Sequence, residues 1–253
     1  MNHIGEENYN TFGTLMKIVE YVTTNNITVE FQDEYKFRKK TQYVNFKNGR
    51  VKNPYDKIAF GVACLGSGKY GSWKDSRNDN GAYLAWTNML QRCYTDIKGK
   101  NDAYYGIVKV CEEWLNFQNF AEWYEGNYYD IPNERLHIDK DIKSSGCKLY
   151  SPDTCILIPQ SINEVIRDNY RKTKDSDLPV TIRRCDKGYK VKFRKENLGE
   201  YNTVDECLKK YNEKKISYIR ELVNGYVDLL PKEVVEILLQ WRPQTFKKYK
   251  QIK

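Results

Sequence analysis

Alternation of apolar and polar residues marks several short strands near the start of the chain. Residues 27–31, Ile-Thr-Val-Glu-Phe, alternate strictly, which predicts a strand with one buried face. Residues 14–21 alternate more loosely, and the apolar residues of 43–46 precede Asn48 and Gly49, a pattern typical of a strand and a tight turn. We therefore expect residues 1–56 to form an N-terminal β-rich module.

The centre of the chain combines helical and strand patterns. Residues 83–94 carry apolar side chains at helical spacing, and Phe117, Phe120 and Trp123 form an aromatic stripe that favours core packing. Apolar segments at 136–142 and 155–159, followed by helical spacing from Ser161, predict strand, turn, strand and helix. Residues 57–171 are therefore assigned to one domain.

The last third predicts a three-stranded sheet followed by two helices. The strands are expected at residues 180–183, 188–194 and 197–201. A helix over 203–222 has Thr203 as its N-cap and Glu206 three residues on, as in a capping box. The remaining expected elements are a polar linker at 172–177, a helix over 231–241 and a basic tail at 246–250. The expected domains are residues 178–223 and 224–253, and the fold class is α+β built from small modules.

Positive charge is concentrated in this last third. Residues 178–253 hold 18 Lys and Arg against 10 Asp and Glu, an excess that equals the whole net charge of +8. Alternation along residues 189–194 directs three cations to one sheet face, which suits a polyanion such as DNA. A merely solvated basic surface is the alternative. The cations expected to bind DNA are Arg183, Arg184, Lys190, Lys192, Arg194, Lys47, Arg50 and Lys52.

The cysteine pattern limits the metal sites that can be expected, and the hydropathy of the chain limits its expected cellular location. The seven cysteines include no Cys-x-x-Cys pair and the chain has only two histidines, so we expect buried free thiols and no structural zinc. Segment 66–69 lacks features of a phosphate-binding loop, so nucleotide binding is not expected. No run approaches the ~18 apolar residues of a membrane helix, and the first residues lack a signal-peptide core. We expect no membrane partner and a cytoplasmic location in a bacterial host cell.

Residues 178–216 resemble the ethylene-response-factor type of DNA-binding domain and its phage relatives. The resemblance depends on Leu-Gly-Glu-Tyr-Asn-Thr at 198–203, which follows a strand with alternating basic residues and precedes an amphipathic helix. Glu206-Cys207 stands where the family usually has Glu-Ala. The resemblance implies that the sheet binds double-stranded DNA.

Residues 82–166 resemble the HNH (His-Me finger) proteins of phages and introns. The matching motifs are WTNMLQRCY at 86–94, VCEEW at 110–114, IDKD at 138–141 and YSPDTC at 150–155. In this family a β-hairpin and a helix hold a divalent metal, so the resemblance implies Mg²⁺ or Mn²⁺. It places Asp139 at a metal ligand, Lys140 at the general-base histidine, Thr154 at an asparagine and Asn163 at the last, helical position.

The resemblance leaves the chemistry of this core open. Lys140 is an atypical base, and His137 lies three residues earlier, on the opposite face of a strand. Asp139 and Asp141 on one strand face would hold the metal together with Asn163; alternatively, Asp and Lys form a salt-bridged turn. The hypotheses are a double-stranded DNA-binding protein with a degenerate core, a metal-dependent homing-type or nicking endonuclease, and an interaction module using the aromatic residues of 104–129 with an unknown protein partner.

Overall fold

The computed structural model describes residues 3–71, 81–144, 146–167, 178–179 and 181–243. It contains several small sheets among helices, which confirms the α+β class. The chain divides into two compact units, Met1–Gly126 and Asn127–Lys253. This division falls inside the range 57–171 that the sequence assigns to one domain. The predicted linker at 172–177 and basic tail at 246–250 lie outside the described residues.

The N-terminal sheet is an antiparallel meander of four strands. They are β1 (Glu7–Tyr9), β2 (Leu15–Thr23), β3 (Asn26–Phe31) and β4 (Arg38–Thr41), paired in that order. The strands predicted at 14–21 and 27–31 are confirmed, whereas β4 was not predicted because its Arg-Lys-Lys-Thr sequence has no apolar position. The residues buried on the inner face are Met16, Ile18, Ile27, Val29 and Phe31.

The predicted strand at 43–46 is wrong, because Tyr43–Lys47 forms a short helix, α1. Tyr43 and Phe46 are three residues apart, so both meet the sheet's core from one helix face. A four-residue apolar run does not distinguish a strand from a helical turn. Asn8 on β1 stabilises the helix end, since its Nδ2 donates to the carbonyl oxygens of Phe46 and Lys47 at 2.8 and 3.0 Å.

The rest of this unit is built on aromatic packing. Its elements are α2 (Ala82–Tyr94), β5 (Lys109–Val110), a 3₁₀ turn (Glu112–Leu115) and α3 (Phe117–Asn127). Trp86, Trp114, Phe117 and Phe120 are fully buried, and the Trp86 indole donates to the Trp114 carbonyl at 2.7 Å. The aromatic stripe is therefore core, as its spacing predicts, although Trp123 is only half-buried.

The glycine-rich segment 66–69 is fastened to α3. Gln118 Nε2 donates to the carbonyls of Leu65 and Tyr70 at 3.0 and 2.9 Å. A Cβ atom at Gly66 would lie 2.1 Å from the side-chain oxygen of Asn116. The glycine thus permits close packing of this loop on the residue that precedes α3.

The C-terminal unit contains the predicted two strands and helix, with one further short strand in the predicted turn. These elements are β6 (Leu136–Asp139), β7 (Leu149–Tyr150), β8 (Ile156–Pro159) and α4 (Gln160–Ile166). Strands β6 and β8 are antiparallel, with Asp139 opposite Ile156. The Tyr129 hydroxyl donates to the Leu157 carbonyl at 2.8 Å, and burial raises the pKa of this phenol.

A second sheet and two helices follow. The sheet consists of β9 (Ile182–Cys185), β10 (Gly188–Phe193) and β11 (Glu196–Tyr201), with β10 in the centre and both pairings antiparallel. The helices are α5 (Val204–Gly225) and α6 (Lys232–Gln240). Thr203 and Glu206 form the predicted capping box. Gly188 has a φ of +131°, and a Cβ there would lie 2.4 Å from the Tyr201 carbonyl oxygen, so the β9–β10 turn requires glycine.

One hydrophobic core joins the ββα element, the sheet and both helices. The regions predicted as separate domains, 178–223 and 224–253, therefore pack together with part of the predicted domain 57–171. The buried members of this core include Ile158, Ile162, Val165, Val191, Phe193, Cys207, Leu208, Tyr211, Ile219, Val223, Val234 and Leu238.

A buried lysine connects α5 with α4 inside this core. Lys215 is 1% exposed. Its ammonium group donates to the carbonyls of Ile166 and Arg167 at 3.2 and 3.5 Å and lies 5.4 Å from the centre of the Trp241 ring. A cation is favourable at a helix C-terminus, where the last carbonyls lack helical partners. Lys215 thus satisfies the end of α4 from within the core.

We expect Lys215→Met to lower the free energy of unfolding by about 1–3 kcal/mol, because it leaves buried carbonyls without a donor. Urea denaturation measures this decrease. The matched control is Lys209→Met, at an exposed position on the same helix, which we expect to have little effect. Equal stability of the Lys215 variant and the wild type would contradict the role of Lys215 as a cap.

Candidate nucleic-acid interface and metal site

The outer face of the C-terminal sheet carries cations in register across its strands. Arg183 on β9 lies directly opposite Lys190 on β10, and Lys190 lies opposite Glu200 on β11. Directly opposite residues share a sheet face, so these three side chains form one row. Lys192 extends the same face, because its neighbours Val191 and Phe193 are buried on the other. Arg183 and Lys192 are exposed, whereas Lys190 contacts Glu200 at 3.4 Å.

Arg184 does not belong to this face. It lies opposite Tyr189, on the side of the sheet that packs against α5, and its guanidinium is 5.7 Å from the centre of the Tyr189 ring. Successive strand residues point to opposite faces, so Arg183 and Arg184 cannot both line the outer surface. Arg184 is one of the cations that the sequence predicts to bind DNA, and the structure places it apart from the outer row.

Arg194 also departs from the predicted alternation. Strand β10 ends at Phe193, and Arg194 has a φ of +53° in the turn to β11. Its guanidinium donates to the Tyr218 hydroxyl of α5 at 2.5 Å and lies 5.1 Å from the centre of that ring. The left-handed turn conformation thus redirects a side chain that strict alternation would place beside Lys192.

The three cations predicted in the N-terminal unit differ in their pairing. Lys47 lies at the end of α1 and contacts Glu6 at 2.9 Å, so its charge is partly neutralised. Arg50 and Lys52 are exposed, and neither forms an ion pair with a residue that the structure describes. Of the three, these two are therefore the ones available to an anionic ligand.

Asp139 closes β6 with a tight turn. Its Oδ1 accepts hydrogen bonds from the backbone N–H groups of Asp141 and Ile142 at 2.8 and 3.0 Å. Burial raises the pKa of the Asp139 carboxyl above its ordinary value, and the nearby Asp141 carboxylate adds to this effect. Because β6 ends at Asp139, Asp141 lies in the turn, and the prediction that both share a strand face is corrected.

Lys140 is buried and structurally engaged. It is 5% exposed, and its Nζ donates to the Cys147 carbonyl at 2.6 Å and to Asp141 Oδ1 at 2.8 Å. Thr154, at the other unusual position of the HNH-like pattern, donates to the Leu149 carbonyl at 2.8 Å. Both side chains hold the turns between β6 and β8. This arrangement matches the salt-bridged turn that the sequence left as an alternative.

Asn163 has an unusual environment on α4. It is 7% exposed, and its Oδ1 is buried without a hydrogen-bond partner among the described residues. A buried amide oxygen in this state is costly unless a ligand or water satisfies it. The sequence predicts a functional role for Asn163 only through the HNH resemblance. Its burial follows from its position on α4 between the buried residues Ile162 and Val165.

The donor set fits a divalent metal in part. Asp139 Oδ2 and Asn163 Oδ1 accept no hydrogen bond within the described ranges, and such oxygens are ligands that Mg²⁺ prefers. Asp141 fits poorly, because the Lys140 ammonium already contacts its carboxylate. The described part of the chain contains no group of three or more His, Cys, Asp and Glu side chains arranged for a metal.

Two further observations concern the cysteines and membranes. All seven cysteines are free; Cys64, Cys93, Cys155 and Cys207 are buried, and burial raises the pKa of Cys155 to about 12 and that of Cys207 to about 11. Where the chain is described, no helix has the length and apolarity to cross a membrane.

Sequence reasoning did not identify Lys215, which donates to the last carbonyls of α4, or Tyr218, which accepts a hydrogen bond from Arg194. Lys215 falls between Tyr211 and Ile219 at four-residue spacing, so the helical period itself assigns it to the buried face of α5. No comparable signal marks Tyr218 as the partner of Arg194, because that contact depends on the tertiary fold.

Comparison of the chain with models of protein families, with curated proteins and with solved structures found no match.

We expect Asp139→Asn to stabilise the protein at pH 7 and Asp141→Asn to destabilise it. The raised pKa of Asp139 means that its ionised form is disfavoured in the folded state, whereas asparagine keeps the Oδ1 acceptor without the charge. Asp141→Asn instead removes the carboxylate that pairs with buried Lys140.

Urea denaturation between pH 4 and pH 8 measures both effects. The gain in Asp139→Asn should increase as the pH rises through the folded-state pKa, and should vanish near the ordinary Asp pKa of about 3.9. A gain independent of pH would show that the charge of Asp139 is not its cause.

Proposed function

We propose that the protein binds double-stranded DNA through the outer face of the sheet β9-β10-β11. The observation that carries the proposal is the position of Arg183, Lys190 and Lys192 on the face opposite the core. With α5 covering the inner face, the cations point away from the core of this unit. A small antiparallel sheet of this kind fits the major groove, where Lys neutralises phosphates and Arg reads guanine.

The distribution of charge supports the same proposal. The C-terminal third accounts for the whole net charge of +8, and a basic patch raises the local concentration of a polyanion. Glu200 lies in the same row and reduces the charge of Lys190. Arg183 and Lys192 therefore carry most of the free charge of this face. The proposal places the protein beside DNA in the cytoplasm of a bacterial host cell.

The HNH-like core serves as a scaffold in this proposal. Lys140 stands where the resemblance expects a general base, but it is buried and bonded to a carbonyl and a carboxylate. A base must have a free lone pair within reach of the proton that it removes. The role of Lys140 is then to hold the turn between β6 and β8.

We expect Arg183→Ala/Lys192→Ala to weaken binding to a 20-base-pair duplex by about 10- to 100-fold, since a specific arginine contact is worth ~1–3 kcal/mol. The logarithmic salt slope should become shallower by about 0.9 for each phosphate that the variant no longer neutralises. Fluorescence anisotropy at several salt concentrations measures both quantities.

Arg184→Ala is the matched control, because it removes the same charge at the adjacent position on the opposite face. We expect its affinity to stay close to that of the wild type. Equal weakening in the Arg183 and Arg184 variants would mean that the charge acts generally and that the outer face is not the interface.

A second candidate function is metal-dependent nicking of DNA. The observation that favours it is the buried Asn163 Oδ1, which has no hydrogen-bond partner among the described residues, together with the raised pKa of Asp139, because perturbed pKa values concentrate at functional sites. In this hypothesis Asp139 and Asn163 hold Mg²⁺ or Mn²⁺, which supplies the charge stabilisation for phosphodiester cleavage. The catalytic base would have to be a group other than Lys140 as the structure places it.

Incubation with supercoiled plasmid and Mg²⁺ or Mn²⁺ separates the two candidates. We expect retarded but intact plasmid, because Lys140 is unavailable as a base. Nicking that disappears with EDTA and in both Asp139→Ala and Asn163→Ala would establish the second candidate instead. Duplex binding by these variants controls for unfolding, because the proposed interface lies on another element.

A further inference from the structure

The N-terminal unit exposes two aromatic side chains close to a turn that is followed by two exposed cations, Arg50 and Lys52. Tyr9 is 61% exposed and Phe12 is 59% exposed, which places them among the most exposed large apolar residues of the described chain. Tyr9 is the last residue of β1, and Phe12 lies in the segment that joins β1 to β2. Single exposed apolar residues are common on protein surfaces. Whether these two indicate a binding site therefore depends on the backbone that carries them and on the neighbouring residues.

Hydrogen bonds to the buried side chains of Asn10 and Asp56 hold the backbone of this segment. The buried Asn10 accepts hydrogen bonds from the N–H groups of Phe12 and Thr14 at 3.0 and 2.9 Å. Its Nδ2 donates to buried Asp56 at 2.7 Å, and Asp56 also accepts from the Thr14 hydroxyl at 2.5 Å. The aromatic rings are thus carried on a hydrogen-bonded backbone, so binding a ligand does not require this backbone to become ordered.

The same segment is fastened to the turn that carries the cations. Thr11 N–H donates to the Gly49 carbonyl at 2.9 Å, and a Cβ at Gly49 would lie 2.8 Å from the Tyr9 carbonyl oxygen. Gly49 has a φ of +67°, so only glycine permits this approach without strain. Arg50 follows directly, and both Arg50 and Lys52 are exposed without an ion pair to a described residue.

We propose that Tyr9, Phe12, Arg50 and Lys52 form a binding surface for single-stranded nucleic acid. Exposed aromatic rings stack on unpaired bases, and adjacent cations neutralise the backbone, which together give affinity without sequence preference. In duplex DNA the faces of the bases are stacked on each other and unavailable to these rings. This surface therefore binds single strands, whereas the C-terminal sheet is proposed to bind duplex DNA. The proposal for this surface does not depend on the proposal for the sheet.

The test compares a fluorescent 20-nucleotide oligothymidine with an abasic strand of the same length, which has the same phosphates but no bases. The full chain carries Arg183→Ala/Lys192→Ala so that the sheet contributes little. We expect the abasic strand to bind at least tenfold more weakly than oligothymidine. Tyr9→Ala/Phe12→Ala should remove this difference in affinity between the two strands. Arg50→Ala should lower the affinity for both strands by the same factor.

Tyr105→Ala is the matched control, since Tyr105 is 46% exposed elsewhere in the same unit. Thermal melting checks that each variant is folded, and Tyr9→Phe should retain binding. Equal affinity for the two strands, or an equal decrease in Tyr105→Ala, would overturn the proposal. Binding to anionic vesicles that depends on Tyr9 and Phe12, without binding to oligothymidine, would assign the surface to lipid.

Discussion

The burial of one face of α5 is the constraint on which the C-terminal unit depends. This helix packs against β10, β11, α4 and α6, so the sheet and the ββα element are organised around a single apolar stripe. Val191 and Phe193 meet the stripe from the sheet, and alternation then directs Lys190 and Lys192 to solvent. The cationic face is thus a consequence of how the core is filled, and its orientation is as fixed as the core itself.

Two buried lysines of this unit donate hydrogen bonds to backbone carbonyl groups of neighbouring segments. Lys215 supplies a donor to the last carbonyls of α4, and Lys140 supplies one to the Cys147 carbonyl in the turn after β6. Buried carbonyls need donors, and an ammonium on a flexible stem reaches them from a neighbouring element. At position 140 this need accounts for a buried lysine in the turn after β6.

Local pattern determines much of the fold, and its failures have physical causes. Strict alternation predicts β3 and β10, and the capping box predicts where α5 begins, because these signals arise within one element. Strand β4 was missed because its pairing with β3, and not its composition, makes it a strand. The boundary at Gly126 could not be predicted either, since the shared core joins Ile158 to Leu238 over a long sequence separation.

In the candidate sites too, some features follow from the local sequence and others depend on the tertiary fold. Alternation alone separates Lys190 and Lys192 from the core, but it does not reveal which cations are already paired. Lys47 is neutralised by Glu6, forty-one residues away, and Arg194 is diverted to Tyr218 by a left-handed turn. The number of Lys and Arg residues therefore overstates the cations available to a polyanion, because a cation already held in an ion pair neutralises fewer phosphates and releases fewer counterions on binding. Among the described cations of each proposed surface, one arginine and one lysine remain without an ion pair, so any affinity for nucleic acid must also come from contacts with bases.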